Sequence, residues 1–182
     1  MSQAPRANPA WSDVKVKLRE LDRSELLKLL QDLYNASNEN KAFLHARLSV
    51  GGDVLRPYKE VIDRWLWPDP FKQQVVSVAK AKKAISDYKN AAAVPAGLAE
   101  LTVYFCERAA GFASDVGLQD EPFFLALVRM FLQAVLATHV LPGDEQAPFL
   151  ARLNAIRHLG HSLGYGVGDE MDEFLSMYFV DL

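Results

Sequence analysis

Residues 22–34 read Asp22-Arg23-Ser24-Glu25-Leu26-Leu27-Lys28-Leu29-Leu30-Gln31-Asp32-Leu33-Tyr34. Leu26, Leu29, Leu30 and Leu33 recur at the three- and four-residue steps that place side chains on one face of an α-helix. Asp22 and Glu25 make the Asp-x-x-Glu form of a capping box, in which each side chain takes up a free amide at the helix start. The stretch predicts an amphipathic helix over residues 23–36, and the same pattern recurs on both sides of it.

Toward the amino terminus, Val14, Val16 and Leu18 alternate with lysines. We read a short helix through Leu21, with a strand as the alternative. Residues 1–12, with Pro5, Pro9 and small polar side chains, read as a flexible arm. Toward the carboxyl terminus, Asn38 is expected to cap a helix through Phe43, Leu44 and Leu48 that Gly51-Gly52 stops. The next helix runs through Tyr58, Val61, Ile62, Trp65 and Leu66 to Pro68, which cannot continue the hydrogen-bond ladder. A further helix is expected over about 71–90. Pro95 then opens one through Leu98, Leu101, Phe105 and Phe112 that Gly117 breaks. Asp120 caps a strongly apolar helix that ends before Pro142-Gly143. Another helix covers about 145–163, and Asp169 is expected to cap the last one. Gly164 and Gly166 read as a tight turn that tucks Tyr165 under that helix.

Seven or eight helices with short connections make an all-α chain, packed as antiparallel hairpins in a multi-helical bundle or a short irregular α-solenoid. Residues 13–182 are expected to form one domain. Half of the 182 residues are hydrophobic and 24% are charged, enough to build a core and incompatible with global disorder. Charge is divided unevenly. Residues 1–94 hold 16 Lys/Arg against 11 Asp/Glu, and residues 95–182 hold 4 against 12. The basic half (13–94) and acidic half (95–182) can steer a partner or attract each other. Cys106 is the only cysteine, so an intrachain disulfide and a thiolate zinc site are both excluded. The first residues lack the apolar core of a secretory signal, and no unbroken apolar run reaches the roughly 18 residues of a membrane span. A cytoplasmic protein with no membrane partner is the expectation.

Three stretches carry a resemblance to a known family. The first joins Leu26-Leu27-Lys28-Leu29-Leu30-Gln31-Asp32-Leu33-Tyr34 to Asn38, Lys41, Phe43 and Leu44. The second is Lys80-Ala81-Lys82-Lys83-Ala84-Ile85-Ser86-Asp87-Tyr88-Lys89. The third joins Asp120-Glu121-Pro122-Phe123-Phe124 to Gly164-Tyr165-Gly166 and Asp169-Glu170. In this order they resemble the uncharacterised bacterial domain-of-unknown-function family 6155, with Gly51-Gly52-Asp53 as a departure. The resemblance implies a helical fold and supplies no activity and no catalytic residue.

Lys72, Lys80, Lys82, Lys83 and Lys89 lie off the apolar arc of the helix expected over 71–90, and are read as an exposed basic face. Such a face is either plain solvated surface or a site for phosphate, nucleic acid or an acidic protein surface. Trp65 and Trp67, two positions apart, point about 160° away from each other around the helix, so both cannot sit fully in one core. Burial at the helix junction is the first reading, and one tryptophan facing a groove or partner is the alternative. His158 and His161 share a helix face as metal ligands can, but no Glu-x-x-His or His-Glu-x-x-His accompanies them. Arg152 and His158 have the spacing of a HEPN-type RNase motif, although the two sit about 120° apart. Asp169, Glu170, Asp172 and Glu173 complement the dipole of the last helix. Cys106 reads as core, with no base organised beside it.

No catalytic set, metal site or cofactor motif emerges. The sequence points to a non-enzymatic scaffold or adaptor that binds a protein partner or itself. The alternatives are anion or nucleic-acid binding through the lysines and, weakest, an RNase-like or metal-dependent enzyme around His158 and His161.

Overall fold

The computed structural model describes residues 9–68 and 74–179, and all regular structure among them is helical. Nine helices follow in order: α1 (Trp11–Leu18), α2 (Arg23–Ala36), α3 (Asn38–Leu48), α4 (Arg56–Leu66), α5 (Val78–Ala91), α6 (Pro95–Val116), α7 (Glu121–His139), α8 (Gly143–Gly160) and α9 (Val167–Tyr178). The arm expected over 1–12 lies outside the described residues up to position 8. Its last two residues already belong to α1, where the alternating valines are helical and not a strand.

Helix α6 sits at the centre because its apolar arc is unusually wide. Leu101, Val103, Phe105, Cys106, Ala109, Ala110 and Ala113 are all buried, and at 100° per residue they cover more than half of the helix circumference. It packs against α4, α5, α7 and α8, while α9 lies on α7 and α8. Helices distant in sequence therefore meet around one core. That is a bundle and not a solenoid, in which each unit touches only its neighbours. A single cluster of buried side chains runs from Ala42 through Phe105, Phe124 and Phe131 to Leu175.

The start signals work as the sequence suggests at α2, α6 and α7. Asp22 accepts from the Glu25 amide while Glu25 accepts from that of Asp22, both at 2.8 Å. Pro95 opens α6, and Asp120 caps α7 through the Phe123 amide. Two expected caps and one helix start move. Ser37, held extended, caps α3 in place of Asn38. Gly166 caps α9 in place of Asp169, which becomes the third helical residue. Helix α5 begins at Val78 behind a Ser77 cap and not near residue 71.

Gly164, Tyr165 and Gly166 are three consecutive left-handed residues, a turn that only the flanking glycines adopt without strain. Tyr165 is not tucked under α9. Its ring lies 5.3 Å from that of Phe124 on α7 and stays half exposed. Helix α7 has mean hydropathy 1.4 and meets the length and composition of a membrane span despite Arg129. Half of that window is buried inside the bundle.

Candidate interaction surface

Helices α1 and α2 bury no residue at all. The leucine ridge that defined the fold is largely open: Leu29, Leu30 and Leu33 remain 38%, 46% and 48% exposed, and Leu27 on the flank 58%. The neighbour of α2 is α3, fixed by the Asn40 side-chain amide, which donates to the Leu33 carbonyl at 2.6 Å, and by Tyr34 and His45, which meet at 3.1 Å. In turn α3 is anchored to α5. Ala42 and Ala46 are buried, and the Arg47 guanidinium donates to the Asn90 carbonyl at 2.6 Å. Helices α1 to α3 thus form a limb hinged on the body, and its apolar ridge faces outward.

Below the limb, α3, α4 and α5 enclose a cleft of about 570 Å³. Phe43, Tyr58, Val61 and Ala84 line it together with Arg64, Lys83 and Asp87.

The lysines of α5 do not form one patch. Lys72 lies outside the described residues. Lys80 lies over the Trp65 ring, with Nζ 3.8 Å from its centre, and Lys83 pairs with Asp87 at 2.6 Å. Lys82 is half-buried on the opposite side, where burial and then the charge of Arg129 hold its amine below the ordinary lysine value. Lys89 is exposed on that side. Lys80 and Lys82 flank the apolar arc of Ala81, Ala84, Ile85 and Tyr88, so the core splits them.

Both tryptophans of the α4 end are half-buried beneath cations. Trp65 carries Lys80. Trp67 carries the Arg108 guanidinium at 4.3 Å and meets Phe112 edge-on at 6.2 Å. Each such cation contact adds roughly 0.5–2 kcal/mol, which is enough to explain two partly open tryptophans.

The arc of α6 not given to the core carries Glu100, Tyr104, Glu107 and Arg108. Arg152 of α8 bonds Glu107 through two guanidinium nitrogens, both at 2.7 Å, and Glu100 at 2.5 and 3.3 Å. Lys59 of α4 also reaches Glu100, at 2.7 Å. Farther along, the Tyr104 hydroxyl donates to Asp63 at 2.7 Å, and Arg108 pairs with the same carboxylate at 2.6 Å. Burial and then the Asp63 carboxylate push the Tyr104 phenol up to about 12. Burial alone pushes the Glu100 carboxyl up, but Arg152 and Lys59 outweigh it and hold it below the ordinary value. This belt ties α4, α6 and α8 together. In the sequence only the polar arc of α6, with Glu100 and Glu107 seven residues apart, marks one side of it, and nothing marks its partners.

Arg152 is therefore engaged with carboxylates, and its spacing to His158 assembles no RNase pair. His158 is exposed beside Arg157, 3.4 Å from its guanidinium. His161 faces Asp172 at 3.1 Å and Asp169 at 3.7 Å, while Arg157 also pairs with Asp172 at 3.3 Å. His161, Asp169 and Asp172 bring one ligand atom each within 4.8 Å of the others. The Arg157–Asp172 ion pair and the His161 contacts with both carboxylates join the end of α8 to the first turn of α9. His45 rests on Tyr34, and His139 lies between Tyr178 and Phe179. Cys106 is fully buried, and burial pushes its thiol far up. Among the described residues no nucleophile meets an organised base.

No family model, no curated protein and no solved structure matches the chain.

Proposed function

We propose that the protein is a non-enzymatic interaction module, a helical scaffold or adaptor that engages protein through its amino-terminal limb. The observation that carries this reading is the contiguous open ridge of Leu29, Leu30 and Leu33 on a helix that is capped at its start and buries no residue. A contiguous apolar stripe bordered by polar residues marks an association surface, and an amphipathic helix offers anchors at i, i+3, i+4 and i+7. Its attachment through Ala42, Ala46 and Arg47 lets the limb present that ridge without disturbing the core. Membership of family 6155 stays part of the proposal, and since that family has no assigned activity it adds neither support nor a site residue to this reading.

A photo-crosslinker placed at position 30 in living cells tests the reading against one at the exposed body position Ser176. Protein adducts from position 30, lost on Leu29→Glu with Leu33→Glu and absent from 176, are the expected result. No adduct from position 30 would overturn it.

A further inference from the structure

On the reading that the limb is the docking element, we propose that its occupant is a second copy of this chain, the two copies exchanging α1 so that each α1 lies on the leucine ridge of the other's α2. Two faces stand open at once. On α2 it is the ridge of Leu29, Leu30 and Leu33, with half-buried Leu26 at its amino-terminal end. On α1, Trp11, Val14 and Leu18 share one helix face by their spacing, with Trp11 68% and Val14 45% exposed.

Their borders are complementary in charge. Lys15 and Arg19 flank the α1 face, and Asp32 lies with Glu25 along one edge of the α2 ridge. Lys15, Arg19 and Asp32 have no ion-pair partner among the described residues. A direct α2-to-α2 contact running antiparallel is the poorer solution, because it sets the Glu25–Asp32 edge of one copy against the same acidic edge of the other.

Within one chain the contact is not made. Arg19, Glu20 and Leu21 continue the turn of α1 through bonds to Lys15, Lys17 and Leu18. Trp11 and Val14 on α1 and Leu29, Leu30 and Leu33 on α2 stay exposed, with Leu18 and Leu26 half-buried. Between two copies related by a two-fold axis the contact is made twice. The exposed parts of these side chains amount to on the order of 500 Å² of apolar surface per copy, counting a whole aromatic as roughly 150–250 Å². Over two copies this is about 1,000 Å², the lower bound of a specific interface. Area does not set affinity, so the test spans a wide range of concentration.

The exchange makes a prediction that simple ridge-to-ridge pairing does not. One full-length variant is damaged only on α1 (Trp11→Ala with Val14→Ser), another only on α2 (Leu29→Ser with Leu33→Ser). Neither pair is buried in the monomer, and unchanged helicity and Tm of each at low concentration verify that both fold. Light scattering and sedimentation across about 0.1–100 µM should show the wild type dimerising and each variant alone weakened at least about tenfold, equal to about 1.4 kcal/mol. An equimolar mixture of the two keeps one intact α1-on-α2 contact, so it should form a heterodimer more tightly than either variant pairs with itself.

A wild type that stays monomeric throughout, or a mixture no tighter than its components, overturns the exchange. If adducts from position 30 to another protein persist in that case, the docking role of the limb stands. If they too are missing, both readings fall.

Discussion

Helices α2 and α5 are each 14 residues long and each carries one apolar face, yet they are treated oppositely. The α5 face is made of small residues with one isoleucine and one tyrosine, and Ala81, Ala84, Ile85, Tyr88 and Ala91 are all buried. The α2 face is made of leucines, and none is buried. On transfer free energy alone the order should be reversed, since a buried leucine contributes roughly 1.5–3 kcal/mol and an alanine far less. What decides is close approach. Small side chains let α5 come near α4 and α6, to the point where a Cβ at Gly97 would stand 2.1 Å from the Tyr88 hydroxyl oxygen. The leucines of α2 keep a wide face available for something outside the monomer.

The largest effect that sharpens this contrast is expected on the α5 side. Ile85→Ala should cost about 2–5 kcal/mol through lost burial and a residual cavity, read as a lower denaturant midpoint. Leu30→Ser, in dilute monomer, should stay within about 0.5 kcal/mol. A comparable loss at both positions would make the limb part of the cooperative core and break the comparison.

Second, Gly97→Ala tests the close approach itself. The added methyl drives Tyr88 off α6, and overpacking of this kind costs about 1–3 kcal/mol. For a chain of this size that lowers Tm by roughly 2–12 °C. An unchanged Tm would mean that α5 does not depend on its small contacts.

Third comes the belt that closes the body. Arg152→Met leaves Glu100 and Glu107 without their shared partner and should cost about 1–3 kcal/mol near neutral pH. Because the folded Glu100 carboxyl titrates below its ordinary value, its contribution is present above that value and fades as pH falls through the folded one. Without Arg152 one of the two cations that lower the Glu100 carboxyl is gone, so less of that acid-side loss remains and the stability gap between variant and wild type should narrow as pH falls. A pH titration of stability by circular dichroism checks the sign.

The smallest effect belongs to the surface. Breaking Lys83–Asp87 by Asp87→Asn should change stability by no more than about 1 kcal/mol, as for exposed pairs in general.

Local signals in the chain are short-ranged, and what they specify came through. The Asp22–Glu25 box, Pro95 and Asp120 each place a helix start because cap chemistry acts within three or four residues. The all-α class follows from the same periodicities. The caps at Ser37 and Gly166 were not legible, since Asn38 and Asp169 offer equally good side chains one and three positions on. Backbone conformation, set by packing, chose between them. The open ridge was not legible either, because periodicity reveals that a face is apolar and not what covers it. The belt was hidden for a related reason: Arg152 finds Glu100 and Glu107 only when α8 lies across α6.

The placement of the three tryptophans has a consequence for observing the molecule. Trp65 and Trp67 report from the body, each with a cation against its ring, and Trp11 reports from the end of the limb in water. Their emission is expected to separate into two populations, one reached freely by a soluble quencher and one reached less. Covering the limb would move only the first, so the unlabelled chain distinguishes an event on its limb from a change in its body by colour alone.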